Sequence, residues 1–260
     1  MIYGDLMETG LKDSVVLVTG GAGGIGEAIC RAFASEGSDV VVHYHKSSNN
    51  ADVIANEVGG MSIQADLRDP EQAISLVNKI VQRYGRLDIC IANAGYYPPE
   101  PLSLWDIDND RWNQTISSNL GLAVNTARGF LREASKNGTG SLVFVGSTAG
   151  IYGESGHSDY AAAKGAITSG LLMSLKNDVT KIGNVRVNAV APGWTLTPKK
   201  EEQGIDDNLI EKATATMSLK KLATPEDIAN AVVLLSSDII SGHITGQVIE
   251  IAGGMEGRLI

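Results

Sequence analysis

The stretch VTGGAGGIG, Val18–Gly26, sits between an apolar run, SVVLV, and residues that recur at helical spacing, Ile25, Ala28, Ile29, Ala32 and Phe33, up to Gly37. A short buried strand, a glycine loop and a helix form the context that a dinucleotide-binding turn requires. The glycines can be read in two registers. Gly21, Gly23 and Gly26 fit G-x-G-x-x-G; Thr19, Gly20, Gly24 and Gly26 fit T-G-x-x-x-G-x-G. In either register the missing Cβ atoms let the backbone turn tightly and approach a pyrophosphate at the helix N-terminus, where free N–H groups favour negative charge. A phosphate-cradling P-loop would end in Gly-Lys-Ser/Thr. This loop ends Gly24-Ile25-Gly26-Glu27, which excludes that reading.

Outward from the loop the same alternation continues. DVVVHY (39–44) reads as the next strand. Asp69 caps a helix with Pro70 in its first turn, an apolar stripe of Ile74, Val77, Val81 and Tyr84, and Gly85 as its stop. LDICIANAG (87–95) is a strand running into a turn, and helices are expected over 110–136 and 159–181. SLVFVG (141–146), VRVNAVAPG (185–193) and QVIEIAGG (247–254) complete the strands; 194–223 is polar and irregular, and Thr224 caps a helix through Ser236. Strands alternating with helices predict an α/β fold: one doubly wound, Rossmann-type domain over 1–260, its parallel sheet covered by helices on both faces.

Composition narrows the function. Of 260 residues, 43% are hydrophobic and 20% charged, ordinary for a globular protein with a sizeable core. A net charge of −9 argues against nucleic acid and anionic membranes as partners. Cys30 and Cys90 lie in apolar surroundings and read as small core residues in a reducing compartment, so no metal site is expected. The opening MIYGDLMETGLKDS carries Asp5 and Glu8 without a cationic stretch ahead of an apolar run, unlike a secretory signal. No run of 18 apolar residues appears, and a cytoplasmic location is expected.

YAAAK, Tyr160–Lys164, supplies the chemistry. Residues four apart share a helix face, about 5–6 Å between Cβ atoms. The pair is either an exposed aromatic–cation contact or a phenol acting as acid or base beside an ammonium. Lowering a phenol from about 10 to about 7 takes roughly 4 kcal/mol. One cation about 4 Å away at an effective dielectric of about 20 supplies roughly that amount.

TGGAGGIG, NAG at 93–95, Asn119 in SSNLG, Ser147 in FVGSTAG, YAAAK and Pro192-Gly193 occur in this order. The chain thereby resembles the short-chain dehydrogenase/reductase family from Lys12 to Gly254. The resemblance selects the second glycine register. It implies that Tyr160 exchanges the proton with the substrate oxygen, that Lys164 lowers the tyrosine's pKa and holds the nicotinamide ribose, and that Ser147 polarises the carbonyl. It implies a relay water held by Asn119, and cofactor contacts from Gly20, Gly24, Ile25, Gly26, Asn93, Ala94 and Gly95. Asn93 would face the adenine-side ribose, and Asp66, with Leu67, the adenine. The segment Pro192, Gly193, Thr195 and Thr197 would cover the nicotinamide. Two departures are Ala92, where many members carry a second Asn, and Ala252, where an Asp is frequent.

A carboxylate at the end of the second strand would accept from the adenosine 2′-hydroxyl and repel a 2′-phosphate. The stretch His43–Asn50 has none, whereas His45, Lys46 and Ser47 could hold a phosphate. NADP(H) is therefore favoured, with NAD(H) possible. The resemblance is strongest to 3-oxoacyl-carrier-protein reductases and glucose dehydrogenases. The substrate is accordingly expected to be an acyl thioester or other small carbonyl compound, with a sugar or polyol as the alternative. Arg132 and Lys181 stand where such reductases meet an acidic carrier. A nucleotide-sensing protein without catalysis would not need the Asn119, Ser147, Tyr160 and Lys164 set. A substrate lid over 194–217 and a homotetramer built on the helices at 110–136 and 159–181 complete the expectation.

Overall fold

The computed structural model describes residues 8–258 except 205; much of the opening segment discussed above, and Ile205 in the expected lid, lie outside the described residues. Seven strands form one sheet: β1 (Val15–Val18), β2 (Asp39–Tyr44), β3 (Met61–Gln64), β4 (Ile89–Ala92), β5 (Thr139–Val145), β6 (Asn184–Pro192) and β7 (Val248–Ile251). All pairings are parallel, in the order β3-β2-β1-β4-β5-β6-β7. The order reverses between β1 and β4, where Val18 pairs with Val42 on one side and Ile91 on the other. Loops leaving the carboxyl ends of those strands diverge to opposite faces and open a crevice, the place where such sheets bind ligands.

The helices are α1 (Gly24–Ser35), α2 (Ser48–Glu57), α3 (Pro70–Tyr84), α4 (Asn109–Ile116), α5 (Leu122–Asn137), α6 (Ala149–Tyr152), α7 (Ser158–Gly165), α8 (Leu172–Asp178), α9 (Pro198–Gln203), α10 (Asp207–Thr214), α11 (Pro225–Ser236) and α12 (Asp238–Ser241). Alternate strand residues point to opposite faces. Leu17, Cys90, Leu142 and Phe144 therefore pack under α3, α5 and α8 with Ile80, Phe130 and Leu172. Val16, Val18, Ile91 and Val143 pack under α1 and α11 with Ile29, Phe33, Ile228 and Val232. Both cysteines are buried in these layers, unpaired. No helix among the described residues is long and apolar enough to cross a membrane.

The expected alternation holds, and the differences have local causes. The helix over 110–136 is α4 and α5 joined by a wider π turn, Ser117–Gly121; that over 159–181 is α7 and α8 joined by another, Ala166–Leu171. On α3 the buried face is Ala73, Leu76, Val77 and Ile80, while Ile74, Val81 and Tyr84 lie at its margin. The helix is turned toward α5, where Gly129 lets Ala73 come close. The His43–Asn50 stretch contains the start of α2, which buries only Ala51, Ile54 and Ala55. β3, the edge strand, buries only Ile63 and has no apolar run to announce it. The irregular 194–223 segment holds α9 and α10, and β7 stops at Ile251 before the left-handed glycines 253 and 254.

Candidate active site

The glycine loop is pinned from both neighbouring strands. Buried Thr19 donates to the Ile91 carbonyl (3.1 Å) and accepts from the Asn93 and Ala94 amides (2.9 and 3.0 Å). The Asn93 amide donates to the carbonyls of Thr19 and Gly20 (2.9 and 3.2 Å). On the other side the Gly20 amide donates to Nδ1 of His43 (3.1 Å), so Nε2 must carry the proton given to the Ala65 carbonyl (3.0 Å). Burial lowers the His43 pKa to about 4, which keeps this tautomer neutral. A Cβ on Gly26 would run into the Gly20 carbonyl, so the two glycines of the second register touch. α1 begins after Gly23 with no side-chain cap, leaving its first N–H groups for an anion. These features fit a dinucleotide pyrophosphate.

At the adenine end two expectations are modified. Both Asn93 amide hydrogens are spent on the glycine loop, so the side chain positions that loop rather than reaching a ribose as a donor. Asp66 is engaged by Arg68 (Nη2 to Oδ2, 2.6 Å) and lies 3.7 Å from His45; the guanidinium holds its carboxyl at about 2. An adenine amine would have to share that carboxylate. Leu67 is buried, and its carbonyl accepts from Asn125 (2.9 Å). His45, Lys46 and Ser47 are exposed where β2 ends, Ser47 as the N-cap residue of α2.

The four catalytic candidates meet in one cleft of about 370 Å³. Its lining includes Asn93, Gly95, Asn119, Ser147, Tyr160, Lys164, Pro192, Gly193, Thr195 and Thr197, and also Ile25 from the glycine loop. Ser147 follows β5, Asn119 lies on the first π turn, and Tyr160 and Lys164 share a face of α7. A Cβ on Gly95 would lie 2.9 Å from Asn119 Oδ1 and 3.4 Å from Lys164 Nζ, so backbone alone separates these groups. The Asn119 amide donates to the Tyr96 and Thr115 carbonyls (2.8 and 3.0 Å), and its oxygen accepts from the Tyr96 amide (3.2 Å). Its side chain retains only acceptor capacity for a water. The Lys164 ammonium, 5.8 Å from the Tyr160 ring centre, donates to the Val145 carbonyl (2.9 Å), and burial lowers its pKa to about 8. Burial pushes the Tyr160 phenol up to about 12, against a smaller opposing effect of the Ser147 hydroxyl. Lys164 is not among the groups that shift the phenol here, its ammonium being held on the strand by the Val145 carbonyl.

Several lining residues belong to none of the motifs, among them Tyr97, Glu154, Trp194, Lys200 and Arg258. Tyr97 donates to Glu154 (2.6 Å), stacks on His157 with ring centres 4.5 Å apart, and meets Tyr160 edge-on at 5.0 Å. Arg258 lies 3.1 Å from Glu154 and donates to Thr148 (2.8 Å). No periodicity marks these residues; they come together only through the loops after β4, β5, β6 and β7. Among the described residues no group of His, Cys, Asp and Glu could hold a metal.

A family model described as Enoyl-(Acyl carrier protein) reductase matches residues 20–256. The 3-oxoacyl-(acyl-carrier-protein) reductase of Thermotoga maritima is 34% identical over 252 residues, 94% of this chain and 98% of that protein. The enzymes of that name from Chlamydia muridarum and Escherichia coli are each 32% identical, covering 96% and 94% of this chain and 100% and 98% of their own lengths. This chain belongs to the short-chain dehydrogenase/reductase family. As a member of the short-chain dehydrogenase/reductases it is an NAD(P)-dependent oxidoreductase. The glycine loop and the open N-terminus of α1 are the groups that would hold the dinucleotide phosphates, with Ile25 and the Pro192–Thr197 segment at the mouth of the same cleft.

Proposed function

We propose that this short-chain dehydrogenase/reductase uses NADPH to reduce a ketone, with the 3-oxoacyl group as the expected substrate type. One observation carries the reading: Asn119, Ser147, Tyr160 and Lys164 converge on one cleft beside the glycine loop. When bound, the reduced nicotinamide supplies the hydride. Ser147 would hold the substrate carbonyl oxygen by donating a hydrogen bond as negative charge develops there. Tyr160, protonated at neutral pH because burial raises its pKa, would give that oxygen its proton. Lys164, largely an ammonium at pH 7 with a pKa of about 8, would stabilise the phenolate left behind. The names of the relatives supply the 3-oxoacyl group, and the carboxylate-free end of β2 supplies the choice of NADPH. The 194–217 segment serves as the lid, since Thr197 packs against Gly24.

The test is NADPH consumption with a panel of 3-oxoacyl compounds, ketones and sugars. Tyr160→Phe should lose more than 90% of turnover while retaining NADPH binding, and Ser147→Ala should lose on the order of 10²-fold, as for one oxyanion donor. A Tyr160→Phe enzyme working at a tenth of the parent rate would remove the tyrosine from its role.

A further inference from the structure

We infer that the preferred substrate carries a carboxylate beside its ketone, and that Lys200 and Arg258 bind it. The inference rests on the ketone-reduction reading and replaces the neutral 3-oxoacyl thioester of that reading with a free 3-oxo acid. Three cations line the cleft, Lys164, Lys200 and Arg258, against one carboxylate, Glu154. Lys164 is committed to the Val145 carbonyl. Lys200 and Arg258 both approach the Trp194 ring, at 5.0 and 5.4 Å from its centre. Glu154 gives one oxygen to the Tyr97 hydroxyl and faces Arg258 with the other. One carboxylate therefore serves two neighbouring cations, and the charge of Lys200 is left without a counterpart among the lining residues.

The guanidinium also has an unused donor. The Arg258 side chain is only 7% exposed; its Nη1 donates to Thr148 and its Nη2 faces Glu154, but Nε has no partner among the described residues. Unmade donors in such a setting are costly unless a ligand completes them. Burial and the repulsion of Arg258 lower the Lys200 pKa against a smaller opposing pull of Glu154, and a bound anion would add an attraction that offsets them. The pair stands beside the reacting group: Thr148 follows Ser147, and the charge of Arg258 is felt at the Tyr160 phenol. A carboxylate matches a guanidinium edge and an ammonium through charge-assisted hydrogen bonds. A neutral ester or thioester offers an acceptor but no charge.

The full-length protein with NADPH is assayed on acetoacetate, its ethyl ester and its N-acetylcysteamine thioester, with NADPH affinity measured in parallel. The expected result is a kcat/KM for acetoacetate at least about tenfold above either neutral form. In Arg258→Gln and in Lys200→Met the acid-over-ester ratio should fall toward one, with NADPH affinity kept. A neutral form used as well as the acid by the parent would overturn the assignment. So would variants that lower all three substrates equally, or a Lys200→Met protein that loses NADPH affinity, which would place the ammonium on the cofactor phosphates. Should none of the three be reduced, titration of acetoacetate into the NADPH complex decides. No binding overturns the carboxylate site; binding that is lost in Arg258→Gln supports it and overturns only the ketone-reduction reading.

Discussion

Tyr160 and His43 are both ionisable side chains whose burial decides their state, and they differ in how the sequence presents them. Tyr160 is announced by Lys164 four residues on, and its place in the cleft was legible. His43 stands in HYHKSSNN and looks like the start of a polar loop, yet it is 2% exposed and holds the Gly20 amide. A signal existed: a parallel strand inside the sheet is buried on both faces, so the positions of DVVVHY between its exposed first residue and its last are interior. The consequence is measurable. In the unfolded chain the imidazole titrates near 6.5, and in the folded protein at about 4. Between those values the unfolded state binds more protons, so this contribution to stability is complete above pH 6.5 and falls as pH drops toward 4. Two and a half pKa units correspond to a loss of about 3 kcal/mol. Urea midpoints at pH 7 and pH 4.5 should differ more in the parent than in His43→Gln, whose amide can still accept from Gly20 and donate to Ala65. An equal acid loss in both proteins would mean that other groups dominate.

At the scale of elements, the sequence was readable where apolar runs are long and capped, and failed where burial is thin. Strands β1 and β4 are continuous apolar runs, β2 and β5 contain VVV and LVFV, β6 is apolar around Arg186 and Asn188, and Asp69, Gly85 and Thr224 cap and stop their helices as expected. α2 and β3 escaped because they bury three residues and one. That omission matters for the cofactor, since α2 begins right after Ser47 and Lys46 stands just ahead of it. The β2–α2 turn still has no free carboxylate facing outward, the nearest acid being Asp66 bound to Arg68. A 2′-phosphate paired with an exposed ammonium and a hydroxyl should be favoured by roughly 1.5–3 kcal/mol, about 10- to 150-fold in affinity. Lys46→Ala should weaken NADPH and spare NADH, and Tyr44→Asp should reverse the preference through charge repulsion. The ratio of kcat/KM for the two cofactors at low ionic strength, where screening is least, measures this. A parent that prefers NADH, or a Lys46→Ala enzyme that loses both equally, contradicts the assignment of this turn.

At the scale of the whole molecule, the cleft residues outside the motifs arrive from the segments after β4, β5, β6 and β7, and only those inside motifs could be named beforehand. Arg258 shows the limit: it reaches Glu154 and Thr148 only because the chain turns at Gly253 and Gly254 after the last strand. The margin of the core at α5 and α8 raises a different question. Val124, Leu131, Leu171 and Leu175 are only half-buried there and line a groove with Arg128 and Arg132, beside the fully buried Ala127. Apolar surface in excess of one packed face signals association. The expected assembly is a homotetramer from two isologous contacts, one of them pairing α5 and α8 with their copies across a two-fold axis. Light scattering after size exclusion should give four times the chain's 27.3 kDa at micromolar concentration. Val124→Glu should split it into smaller species, since a carboxylate placed in a packed apolar contact pays desolvation without a partner. A parent that runs as a monomer across the micromolar range would show that this groove stays open to solvent, and the small residues of α5 would then serve only its close packing on α3.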